Sequence, residues 1–180
     1  ILTRAQTERP ELDERAKRAK SAGCGVLISV HFNAGGGDGA EVYPQFYGDK
    51  NICTASKNLG SAILNALVRA GLQSRGLKYK SNSANNREYF GILYHCRLEG
   101  IVSILLELAF VDSADALDFD TDEKLKKWAK VLATAIAGMY KASEPIYQYS
   151  IVIEGQGTKA QAEAQLAAVR AAGYPAVLKY

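Results

Sequence analysis

Val26-Leu27-Ile28-Ser29-Val30-His31-Phe32-Asn33-Ala34 is the stretch whose reading decides the fold. Five apolar or small residues run into a histidine and an asparagine, and the glycine cluster Gly35-Gly36-Gly37-Asp38-Gly39 follows. A buried parallel strand reads as a near-continuous apolar run, and open α/β sheets carry their chemistry at the carboxyl ends of such strands. The pattern returns in Ile101-Val102-Ser103-Ile104-Leu105-Leu106-Glu107, a second apolar run that delivers a carboxylate. One predicted strand ends in an imidazole and the other in a glutamate. The glycine cluster reads as a flexible loop through which a ligand approaches His31 closely.

Outward from that stretch the chain alternates. Residues 1–3 read as a short strand. A helix is predicted over 10–22, with acidic Glu11, Asp13 and Glu14 before basic Arg15, Lys17, Arg18 and Lys20, the order the helix dipole favours, and Gly23 as its stop. A strand at 40–43 is closed by Pro44. Leu59, Ile63, Leu64, Leu67 and Val68 recur at helical spacing over 55–70, and Gly71 ends that helix. Residues 73–88 are polar and read as a long loop. Strands are predicted at 89–93 and 101–108. The aspartates of 112–122 read as the cap of a helix over 123–140, which carries Leu125, Trp128, Leu132 and Ile136 on one face.

Strands alternating with helices predict an α/β fold, a three-layer α/β/α sandwich with a mostly parallel central sheet. The main domain is predicted over 1–141 and a linker over 142–146. A β-α-β piece over 147–180 is too small to bury a core alone, so it reads as an appendage or as half of something larger.

The 180 residues fit one medium domain with such an appendage; 48% are hydrophobic and 23% charged, as in an ordinary globular protein. The net charge of +3 suits an anionic surface and is too weak and dispersed to argue for nucleic acid. Cys24, Cys53 and Cys96 are odd in number and lack C-x-x-C spacing, so neither a disulfide framework nor a structural zinc cluster is indicated. Cys24, before a buried strand, reads as a small apolar residue. No apolar run approaches the ~18 residues of a membrane span. The chain opens at Ile1-Leu2-Thr3-Arg4 without a methionine, and the expectation is that its true N-terminus lies further upstream.

Only His31 and His95 are histidines. For His31 two readings stand level, a satisfied structural histidine and a metal ligand or acid–base group at a strand end. Glu107 closes an apolar run, where a carboxylate needs a metal, a cation or a raised pKa unless it escapes to solvent. A catalytic zinc needs three protein ligands and an open position. His31 supplies one of them, and His31, His95 and Cys96 form a set only if their two regions meet in space. Arg75-Gly76-Leu77-Lys78 and Arg87 are contacts for an anionic substrate or solvated loop charges.

In series, these segments resemble the zinc-dependent N-acetylmuramoyl-L-alanine amidases of the type-3 family. The resemblance runs through Ile1-Leu2-Thr3-Arg4, Glu14-Arg15, Ile28-Ser29-Val30-His31-Phe32-Asn33-Ala34, Gly39-Ala40-Glu41-Val42-Tyr43, Arg75-Gly76-Leu77-Lys78, Phe90-Gly91-Ile92-Leu93 and Leu105-Leu106-Glu107-Leu108-Ala109-Phe110-Val111-Asp112. It spans about residues 1–140. It implies a zinc ion (Zn2+) held by two histidines and a glutamate, with His31 as one ligand, Glu107 as the catalytic carboxylate, and Asn33, Arg75 and Arg87 as substrate-binding residues. The substrate implied is peptidoglycan, cut between the lactyl group of N-acetylmuramic acid and L-alanine. The place implied is the cell wall or the extracellular side of a bacterium, reached by an autolysin or a phage lysin.

The family's first zinc histidine and its glutamate ligand precede the position of Ile1, so the chain holds one metal ligand of three. The segment Tyr94-His95-Cys96-Arg97-Leu98-Glu99-Gly100 reads as a longer link than the family's. The tail from Tyr149 to Ala176 resembles the first half of a SPOR-type repeat, which implies binding to glycan strands. The alternative function is a non-catalytic wall-binding or truncated form without a complete zinc site.

Overall fold

A computed structural model describes residues 1–5, 7–47, 51–82 and 87–140. The chain divides into two units, residues 1–141 and 142–180. The fold below is that of the first. The expected linker and β-α-β appendage fall outside the described residues.

Helix α1 (Leu12–Ser21) leads into strand β1 (Val26–Asn33), and strand β2 (Ala40–Pro44) follows the glycine cluster. A small ribbon pairs β3 (Phe46–Tyr47) with β4 (Asn51–Ile52), after which α2 (Thr54–Arg69) runs to β5 (Ser74–Leu77). A second ribbon pairs β6 (Ser81–Asn82) with β7 (Arg87–Glu88). Then come α3 (Gly91–Leu98), β8 (Val102–Phe110), a 3-10 turn (Ala114–Phe119) and α4 (Asp122–Met139).

The central sheet has the order β1-β8-β2-β5. β1 is parallel to β8 and β2 is parallel to β5, while β2 meets β8 antiparallel. The sheet is therefore mixed and mostly parallel, as expected. Side chains alternate between its faces. Ile104, Leu106 and Leu108 of β8 join Val42 and the apolar stripes of α2 and α4 on one side. Leu105 joins Leu27, Ala16, Ala19, Leu93 and Cys96 with α1 and α3 on the other. Two helical layers thus enclose the sheet.

Three helices end in the same way. The amides of Gly23 and Cys24 bond to Lys20 and Ala19 carbonyls at 2.9 and 3.0 Å; those of Gly71 and Leu72 to Val68 and Leu67 at 3.0 Å; those of Gly100 and Ile101 to Arg97 and Cys96 at 3.1 and 2.9 Å. This is the paired bond of a Schellman turn, with glycine at the left-handed position. Each turn sends the chain directly toward a strand (β1, β5 and β8). Helix α4 starts instead on Thr121, whose Oγ1 accepts from the Lys124 amide at 3.3 Å.

Three sequence expectations are corrected. Residues 1–3 form no strand, and Ile1 and Leu2 stand 79% and 90% exposed. The polar stretch 73–88 holds β5, β6 and β7 rather than only a loop: β5 has no apolar alternation because it is a short edge strand, held by pairing with β2. Residues 89–93 are not a strand. Aromatic and branched residues there suggested one, but Ile92, Leu93 and Cys96 are spaced for a helix face, they are buried against α1, and Gly100 stops α3. The segment 94–100 is therefore the body of a helix and its cap.

Candidate active site

The register of the sheet assembles the site. His31 on β1 is the Cα partner of Glu107 on β8, and Glu107 is the partner of Glu41 on β2. Residues opposite one another across a ladder point to the same face, so the imidazole and two carboxylates form a row across three strands. It lies on the α1/α3 side, past the end of the apolar packing made by Leu27, Tyr43 and Leu105.

Glu41 is 4% exposed and is the hub of this row. Its Oε1 accepts from Arg75 Nε at 2.5 Å, and its Oε2 accepts from the Tyr43 hydroxyl at 2.8 Å and from Asn33 Nδ2 at 3.4 Å. The Tyr43 phenol is pushed up to about 12 by burial and by its bond to Glu41, so it stays a donor. Glu107 differs: its Oε2 is buried and has no hydrogen-bond partner among the described residues. Burial, with the neighbouring Glu41 charge, raises its pKa above the usual carboxylate value.

His31 Nε2 lies 2.8 Å from Ser29 Oγ. Burial and the Arg15 charge hold the imidazole below its ordinary pKa, which keeps it neutral and able to donate a nitrogen lone pair. The environment therefore favours the uncharged form of both facing groups.

The glycine cluster is tied down, contrary to the flexible loop expected. Asp112 Oδ2 accepts from the amides of Gly35 and Gly36 at 2.7 and 3.1 Å, and Asp115 Oδ2 accepts from Gly39 and Phe110 at 2.9 and 3.1 Å. Ser113 Oγ donates to Asp115 as well. A Cβ on Gly37 would stand 2.4 Å from the Phe110 ring, so only glycine lies flat there. These two aspartates hold the loop beside His31; the helix cap expected of them falls to Thr121.

The sheet and the Glu41 hub bring together His31, Asn33, Arg75 and Glu107. Asn33 is engaged on both sides, since its Oδ1 also accepts from the Ala34 amide at 2.9 Å. Arg87 is placed elsewhere, with its guanidinium 4.2 Å from the centre of the Tyr94 ring. His95 packs against Tyr94 at 5.3 Å, and Cys96 is fully buried in the α1/α3 core. Among the described residues no three His, Cys, Asp or Glu side chains are grouped to hold a metal, so His31, His95 and Cys96 do not form the set considered above. Sequence reasoning missed Glu41 and Tyr43 as site residues. The available signal was a carboxylate inside the otherwise apolar run Ala40-Glu41-Val42-Tyr43.

These features define a three-layer α/β protein whose polar groups gather where its central strands end. The profile of the N-acetylmuramoyl-L-alanine amidases matches residues 1–138, and the chain belongs to that family. Among solved structures, Cwp6 from Clostridium difficile is 26% identical with a TM-score of 0.65, over 77% of this chain and 21% of that one. The catalytic domain of CwlV, an N-acetylmuramoyl-L-alanine amidase from Bacillus (Paenibacillus) polymyxa var. colistinus, is 24% identical with a TM-score of 0.62, over 78% and 72% of the two chains. The amidase AmiC2 of Nostoc punctiforme is 21% identical with a TM-score of 0.62, again over 78% and 72%. The last two share the fold with this chain. A search of curated proteins finds no match. No helix among the described residues is long and apolar enough to cross a membrane.

Proposed function

We propose that this chain hydrolyses peptidoglycan at the amide between the lactyl group of N-acetylmuramic acid and the L-alanine of the stem peptide. The observation that carries the reading is the unpartnered, buried Oε2 of Glu107 on the strand paired with His31. A carboxylate kept without a donor and with a raised pKa is suited to take a proton from water and return it to the leaving amine.

A zinc ion fits this place in part. His31 offers a neutral imidazole, and the orphaned Glu107 oxygen stands on the neighbouring strand. A tetrahedral catalytic site requires two further protein donors, which the described residues do not bring to His31. The chemistry that bound zinc supplies is a water of lowered pKa and a polarised amide carbonyl. Asn33 and Arg75, which both bond to Glu41 on the strand next to Glu107, are assigned to orient the peptide, and Arg87, over Tyr94, is a more remote cation for an anionic substrate. Glycan binding through residues 147–180 belongs to the same proposal and is supported by their β-α-β sequence pattern.

The test is release of new L-alanine amino termini from purified peptidoglycan incubated with the chain and zinc. The expected result is release by the parent chain, reduced at least ~100-fold in Glu107→Gln. New reducing sugar ends without new amino termini would overturn the reading in favour of a glycosidase. Loss of activity in His31→Ala with full activity in Glu107→Gln would point to a different metallohydrolase. Sedimentation with peptidoglycan and no release would support the non-catalytic wall-binding alternative.

A further inference from the structure

We infer that Glu41 is a positioning residue that aims Arg75 as a carboxylate clamp for an acidic residue of the stem peptide, a few positions beyond the scissile bond. The inference rests on the peptidoglycan reading above and names a subsite within it.

Three observations carry it. First, Arg75 occupies an irregularity in the sheet. Ala40 pairs with Ser74, while Glu41 pairs with Gly76, leaving Arg75 as the extra residue of a bulge. Gly76 follows at φ 82°, a left-handed conformation suited to such a turn of the strand. Bulges re-aim side chains next to active sites.

Second, the guanidinium is held by one edge. Glu41, 4% exposed, accepts a hydrogen bond from Arg75 Nε at 2.5 Å, and the Phe110 ring lies 5.3 Å from Cζ. Among the described residues no bond engages the two terminal amino groups, and the side chain is 42% exposed. A guanidinium bound through Nε retains its end-on pair of N–H groups, the fork that matches a carboxylate. Glu41 in turn is fixed by Tyr43 and Asn33, so the aim of Arg75 is set by a buried network.

Third, the spacing suits a peptide. From Glu107 on β8 to Arg75 on β5 is two strand separations, roughly 10 Å. The alanine and the acidic residue after it, at about 3.3 Å each plus the length of the acidic side chain, cover that distance. A chain with its alanine amide at Glu107 therefore brings a carboxylate from an acidic residue shortly after alanine to the Arg75 fork.

The experiment is calorimetric titration of the chain with N-acetylmuramoyl-L-alanyl-D-glutamate and with the same compound carrying amidated carboxylates. The parent chain is expected to bind the acid form about ten-fold more tightly, as for a charge-assisted bidentate pair. Arg75→Lys and Glu41→Gln are each expected to bring the ratio of the two affinities close to one, and the double variant no further. A ratio, unlike activity, is not moved by a general loosening of the site, and a thermal melt of each variant accompanies it. A parent chain that binds both compounds equally, or a Glu41→Gln variant that keeps the full preference, overturns the inference while leaving the amidase reading intact. No binding of either compound overturns the substrate class on which both rest. Competition by inorganic phosphate equal to that of the acid peptide would make the fork a general anion site and would also overturn it.

Discussion

β1 and β8 lie side by side, run parallel and are similarly apolar in sequence, yet they occupy different environments. β8 is covered from Ser103 to Leu106 and again from Leu108 to Phe110. β1 is open along its outer half, where Val30 and Phe32 are 49% and 41% exposed. β8 lies between two strands, whereas β1 is an edge among the described residues. An apolar run therefore reports strand character, and neighbours decide enclosure. The sharpest check uses register partners Val30 and Leu106. Leu106→Ala is expected to cost about 2–5 kcal/mol, since that side chain is fully buried. Val30→Ala is expected to cost less than about 1 kcal/mol. Urea denaturation measures both, and equal losses would show that β1 is as enclosed as β8.

The two aspartates on the glycine loop form a second, smaller contrast. Asp115 is buried and serves two backbone amides, whereas Asp112 stands at the surface. Removing Asp115 strands the Gly39 and Phe110 amides, so Asp115→Ala is expected to cost roughly 1–3 kcal/mol. Asp112→Ala is expected to cost less, because water reaches the amides it serves. Burial opposes the charge of Asp115, but Ser113, Gly39 and Phe110 outweigh it and hold the pKa below its ordinary 3.8. Its folded-state pKa is depressed, so its contribution is present above pH 3.8 and is lost as the pH falls through the lower folded value. An acid titration of stability would show a steeper loss in the parent than in Asp115→Ala. Identical acid slopes would mean that the tether carries no charge-dependent stability.

Much of this was legible in the residues. The apolar runs that stop at His31 and Glu107 located two neighbouring strands, and Gly23 and Gly71 marked helix ends that the structure realises as left-handed caps, as it does at Gly100, which reads in sequence as part of a link. Helix α3 was hidden because Tyr89, Phe90, Ile92 and Tyr94 have strand-like side chains; its helical state comes from packing on α1. β5 was hidden because Ser74-Arg75-Gly76-Leu77 carries no alternation. The pairing of Glu41 with Glu107 was hidden for a different reason. It depends on the antiparallel register of β2 against β8, a long-range relation with no local signature. Once that register forms, two carboxylates share one face, and only one of them has donors. Their different surroundings are therefore a property of topology and not of either sequence segment.

That inequality yields the smallest expected effect. Glu41 is ion-paired with Arg75 and bonded by Tyr43, while burial and the Glu41 charge raise the Glu107 pKa above its ordinary 4.5. A carboxyl whose pKa is raised by folding binds its proton more tightly in the folded state. Ionised Glu107 thus opposes folding at neutral pH, and the opposition fades as the pH falls through the raised value toward 4.5. Glutamine keeps the shape without the charge, so Glu107→Gln is expected to raise the melting temperature at pH 7 by about 1–2 °C. The gain should disappear near pH 4, where the parent carboxyl is itself protonated. Differential scanning calorimetry at both values checks this. A lower melting temperature for Glu107→Gln at pH 7 would mean that the carboxylate has a stabilising partner, and the contrast with Glu41 would be lost. The expected pattern, a more stable and less active variant, would place Glu107 where strain on a charge is retained for chemistry.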